Sequence, residues 1–273
     1  MATILNLGTR MEAIIDLCDN VKTIADIGCD HGYITAELIL EEKADKVIST
    51  DISEKCLNKA ILFCDSMNIN SFISFRQGDG FDVITKRDRV ELAVIAGMGG
   101  REIISILEKK PKKLYNFVLQ PQSDVPMLRE YLVNNGFMFV VDKLVKDDGK
   151  FYNVIKVAKR KKRLKYNPLE IYFGTSNFRE NYEVFYDYLM ERYNKLNNYK
   201  NLYKALNQKS EEELKNVLLA LSMYGVDPTK DESKLKKDTE TKETENTENV
   251  DTFATENVDI QTKDNNLDSQ DNK

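Results

Sequence analysis

Four carboxylates stand at the ends of short, apolar, β-branched stretches. They are Asp26 and Asp30 in Asp26-Ile27-Gly28-Cys29-Asp30-His31-Gly32-Tyr33, Asp51 in Ser49-Thr50-Asp51-Ile52, and Asp79 in Gln77-Gly78-Asp79-Gly80. The stretches at 23–25, 47–49 and 72–75 read as parallel strands, so the spacing predicts four acids converging on one cleft at the strand C-termini. Such a cleft repels a diphosphate and attracts a cation. The dinucleotide fingerprint Gly-x-Gly-x-x-Gly needs glycine where this chain has Asp30, whose carboxylate would face a pyrophosphate at the helix N-terminus. The charge pattern fits S-adenosylmethionine, whose sulfonium and ammonium are both positive.

Two of the acids have a chemical task on that reading. Asp51, some twenty residues past the first glycine, is placed to accept hydrogen bonds from both ribose hydroxyls of an adenosine. Asp79 offers a carboxylate to an adenine amino group, and its flanking glycines let the backbone approach the ring. The fourth strand runs into Ala96-Gly97-Met98-Gly99-Gly100. Many adenine-N6 methyltransferases carry an Asp/Asn-Pro-Pro-aromatic motif there, which is missing here. The bare glycine ledge leaves room for a planar base.

Strand and helix patterns alternate to position these groups. Strands are expected at 23–27, 46–50, 72–77, 92–96 and 116–120, and helices at 33–42, 53–67, 100–109 and 126–135. Thr9-x-x-Glu12 reads as a capping box that starts an earlier helix. After Gly136 the segments 137–144 and 151–157 flank Lys146-Asp147-Asp148-Gly149-Lys150 with no room for a helix, so they read as an antiparallel hairpin. The expected fold class is therefore α/β, a doubly wound, Rossmann-like sheet ending in an antiparallel hairpin, as in class I methyltransferases.

A basic run from Lys156 to Lys165 ends this domain, taken as residues 1–165. Residues 166–226 read as a helical, coiled-coil-like domain. Phe178, Phe185, Arg192, Tyr199 and Leu206 recur every seven residues, Tyr182, Leu189, Leu196 and Tyr203 fill the second heptad position, and Arg192 alone interrupts the seam. A second capping box, Ser210-x-x-Glu213, predicts a shorter helix that completes a helical hairpin. Residues 227–273 carry too little apolar surface to fold alone and are expected to form a disordered acidic tail.

The chain has 273 residues and a net charge of −5, but residues 231–273 hold 13 acids and 6 bases, leaving the remainder with a net +2. The folded part is thus mildly basic. Cys18, Cys29, Cys56 and Cys64 show no Cys-x-x-Cys spacing and read as reduced, apolar fillers; with a single histidine, His31, no metal site is expected. No apolar stretch is long enough to cross a bilayer, and a cytoplasmic location is the default expectation.

The chain resembles the bacterial tRNA adenine-22 N1-methyltransferases of the TrmK type. The residues that carry the likeness are Asp26-Ile27-Gly28-x-Asp30-His31-x-Tyr33, Arg76-Gln77-Gly78-Asp79-Gly80, Ile95-Ala96-Gly97-Met98-Gly99-Gly100, Leu119-Gln120-Pro121 and Asp148-Gly149-Lys150-x-Tyr152. The resemblance implies transfer of the methyl group of S-adenosylmethionine to N1 of an adenine in the tRNA D-arm. It assigns Asp26, Gly28, Asp51, Ile52, Asp79, Gly80 and Gly97 to the cofactor, and Arg10, His31, Tyr33, Met98 and Tyr152 to the RNA. Asp30 and Gln120 are the candidate catalytic residues. Gln120 is the first choice for reading the base edge, with a role in tying down the Pro121 loop as the alternative, and Asp30 is assigned either to the base or to the cofactor ammonium.

Adenine N1 carries an in-plane lone pair, so the chemistry requires proximity and electrostatics rather than a general base. It is engaged when paired, so the target base must be unpaired or extruded. The runs at 109–113 and 159–165, together with Lys195, Lys200, Lys204 and Lys209, are expected to form a phosphate-binding surface around the cleft. A monomer is expected, with a dimer through the helical domain as the alternative. Competing readings are a class I methyltransferase acting on a small molecule or protein, and a non-catalytic adenosyl- or RNA-binding module.

Overall fold

The computed structural model describes residues 4–159 and 164–229. The centre of the basic run, 160–163, and the acidic tail from 230 lie outside the described residues. One compact unit ends at Val217 and a second begins at Leu218.

The first unit holds a seven-stranded sheet. Its strands are β1 (Val21–Ile27), β2 (Ala44–Asp51), β3 (Ile73–Gln77), β4 (Leu92–Gly99), β5 (Asn116–Ser123), β6 (Phe137–Asp147) and β7 (Lys150–Lys159). Their order is β3-β2-β1-β4-β5-β7-β6, with the first five parallel. Only β7 runs against its neighbours, pairing antiparallel with both β5 and β6. The predicted terminal hairpin is present, and two-residue positive-φ turn chemistry at Asp148 and Gly149 closes it.

Period-two alternation in β1, β4, β5 and β7 divides the buried residues between the two faces of the sheet. Ile27, Ile95, Phe117, Leu119 and Ile155 face one layer, built with Ile103 and Leu107 of α4 (Gly100–Glu108) and Leu128 and Leu132 of α5 (Val125–Asn134). Ile24, Val94, Val118 and Val154 face the other, with Ile14 of α1 (Thr9–Asp16) and Ile34 and Leu38 of α2 (Tyr33–Leu40). Burial on both faces explains why the strands read as continuous apolar runs. A fifth helix in the sheet domain, α3 (Glu54–Ser66), buries Leu57, Ala60 and Cys64.

Two cap expectations are corrected. Gly8, not Thr9, precedes α1, and its N-terminus is held instead by Asp147, whose Oδ1 accepts from the Thr9 amide at 3.0 Å. In α8 (Gln208–Ser222) Asn207 accepts from the Ser210 amide at 2.9 Å. That frees Glu213 to bind Arg192 at 2.6 Å.

The heptad seam is also shorter than expected. In α7 (Tyr182–Tyr203) the buried set is Phe185, Leu189, Tyr193 and Leu196, while Tyr182, Tyr199 and Tyr203 are exposed. Phe178 and Leu206 fall outside the helix. Phe185 packs with Phe173 of α6 (Pro168–Phe173) and with Phe178, and Arg192 leaves the seam because its partner is Glu213. Beneath α6 lies the most buried ion pair among the described residues, Arg129 with Asp142.

Candidate active site at the strand C-termini

The turn after β1 is a run of left-handed backbone, with φ of 74° at Gly28, 48° at Asp30 and 78° at Gly32. It is clamped to β2 by the amides of Gly28 and Cys29, which both donate to the Thr50 carbonyl. Gly28 is required by its backbone, since φ 74° is a conformation that L side chains rarely adopt; a Cβ there would in addition sit 2.0 Å from Cε of Met98 and push that flexible side chain aside. Met98 reaches this position because β4 bulges against β5 between Ala96 and Met98; Gly97, at φ 78°, supplies the left-handed residue of the bulge.

A cavity of about 430 Å³ opens at this end of the sheet. Of the residues predicted for the site, it gathers Arg10, Gly28, Asp30, His31, Tyr33, Asp51, Gly97, Met98 and Gln120. Met11, Ile14, Cys29, Ile34, Ala96 and Gln122 complete the lining and were not among the predicted site residues. For Met11, Ile14 and Ile34, α1 and α2 supply the signal, since their apolar faces must cover the cleft.

Asp51 is the best organised group. One carboxylate oxygen accepts from the Asp30 amide at 3.0 Å and the other from the Ser53 amide at 2.8 Å. Each oxygen keeps a lone pair for a ligand, and the side chain cannot rotate without losing both bonds. Next to it, Asp30 Oδ2 lies 2.7 Å from His31 Nδ1, and His31 Nε2 lies 3.1 Å from Lys59 Nζ. Partial burial acts to raise the Asp30 pKa, but hydrogen bonds from His31 and Cys56 and nearby positive charge outweigh it and hold the carboxyl below its ordinary value. His31 stacks parallel to Tyr33, with ring centroids 5.8 Å apart, and makes an aromatic platform at the cavity.

The expected convergence of four acids is corrected to two. Asp26 points into the protein, where its carboxylate accepts from Thr35 Oγ1 at 2.6 Å, and Thr35 in turn meets Ser49 Oγ at 2.8 Å. Asp79 turns toward α4 and pairs with Lys109 at 2.6 Å. Gly80 lies beside Ile106, Ile52 is exposed, and none of these residues lines the cavity. Tyr152 also stands outside the lining but supports it, because the Arg10 guanidinium sits 4.9 Å over its ring. Gln120 is buried in the wall, and its amide donates to the Pro121 carbonyl at 3.1 Å. The tie to the Pro121 loop is therefore real.

Burial pushes the Asp26 pKa up to about 6, despite the Thr35 hydrogen bond, with the Asp51 charge adding to the rise. A folded-state value above the ordinary one means the native protein binds this proton more tightly than the unfolded chain. Its contribution to stability is complete below about pH 4 and is lost as pH rises through about 6. Asp26→Asn is expected to abolish that loss. Thermal unfolding of both proteins from pH 4 to 7 checks it, and a constant gap between the two curves would refute the assignment. Burial likewise raises the Cys18, Cys29 and Cys64 thiols to about 12, as fits apolar fillers.

The basic runs do not all surround the cleft. Lys112 and Lys113 line a groove with Lys86 and Arg89 beside the starts of β4 and β5, at the end of these strands opposite the cleft. Lys109 is held by Asp79, and Lys110 and Lys159 both lie over the Phe137 ring. Among the described residues no group of three or more His, Cys, Asp or Glu side chains could hold a metal, and no helix is long and apolar enough to cross a membrane.

Residues 24–223 match the family described as tRNA (adenine(22)-N(1))-methyltransferase. A curated relative of that name from Bacillus subtilis (strain 168) is 34% identical over 154 residues, covering 55% of this chain and 64%, less than two thirds, of the relative. The solved structure of M. capricolum TrmK with S-adenosyl-homocysteine is 25% identical with a TM-score of 0.70, covering 80% of this chain and 97% of that one. The B. subtilis m1A22 tRNA methyltransferase TrmK is 27% identical with a TM-score of 0.65, covering 77% of this chain and 94% of that one. A match over most of the described sequence, on a sheet of this order and with the Asp51 and Gly28 geometry in place, shows that the chain belongs to the tRNA (adenine(22)-N(1))-methyltransferase family.

Proposed function

We propose that this chain transfers the methyl group of S-adenosylmethionine to N1 of adenine 22 in the D-arm of tRNA. The observation that carries the reading is Asp51, oriented by two backbone amides at the end of β2 beside the Gly28 turn. Its free lone pairs suit two ribose hydroxyls, and with Asp30 it gives the cavity two carboxylates toward a cofactor whose sulfonium and ammonium are both positive. Asp26 supports this site from below, holding the turn between β1 and α2 through Thr35.

Bound S-adenosylmethionine supplies an electrophilic methyl group. The chain's own residues have to place the adenine, exclude water and tolerate positive charge on the methylated base. The lone pair of N1 forms the new bond, so no side chain has to take a proton. Asp30, kept ionised, places negative potential at the cleft. The His31–Tyr33 pair offers a stacking surface, and Met98 and Gly97 give the base a low wall to lie against. Gln120 reads the base edge by exchanging its bond to Pro121 for one to the adenine.

In this reading residues 1–165 bind the cofactor and residues 166–226 contribute to holding the tRNA, in a cytoplasmic monomer. Incubation with labelled S-adenosylmethionine and total tRNA, followed by nucleoside analysis, tests it. The expected product is 1-methyladenine; label in another acceptor, or none, overturns the proposal. Gln120→Ala is expected to reduce turnover at limiting tRNA about tenfold, the scale of one lost hydrogen bond to a buried partner. Full turnover in that assay would remove Gln120 from the site.

A further inference from the structure

A second cavity, of about 320 Å³, lies on the other side of the β5 terminus from the cleft. Gln122 lines the cleft and the next residue, Ser123, lines this cavity, so one strand end partitions the two. Its remaining walls come from far along the chain and include Asn153 of β7, Tyr172 of α6, Tyr188 and Arg192 of α7 and Glu213 of α8.

The polar groups there are incompletely used. Neither the Tyr172 nor the Tyr188 hydroxyl has a hydrogen-bond partner among the described residues, although both rings are packed, Tyr172 against Phe173 and Tyr188 against Phe151. Arg192 spends Nε and Nη2 on a single oxygen of Glu213, leaving the second carboxylate oxygen and Nη1 without a partner among the described residues. Asn153 gives its carbonyl oxygen to Arg129 and keeps its amide donors. Burial raises the Tyr172 pKa to about 12, so that hydroxyl stays a donor.

Charge decides which ligand class suits this lining. Arg129 is neutralised by Asp142 and Arg192 by Glu213, and Asp124, also in the lining, pairs with Arg101 at 3.7 Å. A phosphate would meet no uncompensated cation. A flat, neutral group with donors and acceptors on one edge fits aromatic walls and a carboxylate–guanidinium pair with one free acceptor and one free donor.

We propose that this cavity receives a second nucleobase of the RNA, a nucleotide flanking the target adenine, which straddles the β5 end while the target occupies the cleft. The proposal rests on the methyl-transfer function above. It gives the enzyme a hold on the strand beside the reacting base, and so helps to keep that base out of its stack.

Tyr172→Phe and Tyr188→Phe remove only the hydroxyls and keep the ring contacts. Each is expected to raise the KM for tRNA about three- to tenfold, the scale of one hydrogen bond, with kcat within twofold and S-adenosylmethionine affinity unchanged. In parallel, a D-arm hairpin carrying 4-thiouridine on either side of the target is irradiated on the protein, and the crosslinked peptide is mapped. Attachment to Tyr172 or Tyr188 supports the assignment. Unchanged KM in both variants, or crosslinks confined to the cleft, overturns it while leaving 1-methyladenine formation intact; absence of 1-methyladenine overturns the proposed function first and this subsite with it.

Discussion

Replacing Arg129 with alanine is expected to destabilise the protein by about 3–5 kcal/mol, the usual result of stranding one member of a buried ion pair. Arg129 is 1% exposed and Asp142 0%. The guanidinium meets both carboxylate oxygens through Nε, at 2.9 and 3.2 Å, and through Nη2, at 2.9 Å. It also donates to the Tyr172 carbonyl at 2.7 Å, the Asn153 side chain at 2.7 Å and the Phe173 carbonyl at 3.3 Å. Alanine would leave the Asp142 charge with only the Thr175 amide, at 3.4 Å, and would take from the Tyr172 carbonyl the donor it has in Arg129. Urea unfolding of the two proteins measures the difference, and a loss under about 1 kcal/mol would contradict a desolvated pair. The double variant Arg129→Met with Asp142→Leu is expected to recover most of the loss, because it removes the charges together.

The second large effect is on cofactor binding. Asp51→Ala is expected to weaken S-adenosylmethionine about a hundredfold or more. Two hydrogen bonds to an ionised acceptor contribute about 1.5–3 kcal/mol each. The loss also frees the Asp30 and Ser53 amides that shape the turn. Calorimetry with S-adenosyl-homocysteine reads the affinity, and circular dichroism confirms that the sheet persists. An unchanged dissociation constant would remove Asp51 from the cofactor site. Asp79→Ala is the contrasting case: its carboxylate faces Lys109 and lies off the cavity lining, so the expected change is much smaller.

Much of this geometry is legible along the chain because it is set by neighbours in sequence. The strands of the sheet are short apolar runs bounded by glycine and acidic turns, and their order of appearance with intervening helices dictates a doubly wound arrangement. The hairpin is legible because 146–150 leaves no room for a crossover helix. Asp51 is legible too, since the residues that orient it, Asp30 and Ser53, lie in the motifs that announce it.

Side chains whose partners lie far away in sequence behave differently. Asp26 and Asp79 carry the same motif signal as Asp51, yet packing by Thr35 and Ser49 turns the first inward and Lys109 draws the second toward α4. Heptad spacing marked Tyr199 and Tyr203 as seam residues, but a seam is buried only where another surface meets it, and both are exposed. The sequence alone determined the sheet, its hairpin, the glycine turn and the acid that faces it, because each depends on periodicity and local hydrogen bonds. Only the tertiary structure decided which acids reach the cleft, that Arg129 and Asp142 meet out of water, and that Tyr172, Tyr188, Arg192 and Glu213 enclose a second cavity. Those outcomes depend on long-range packing, in which burial and charge are settled by whichever segments fold against each other.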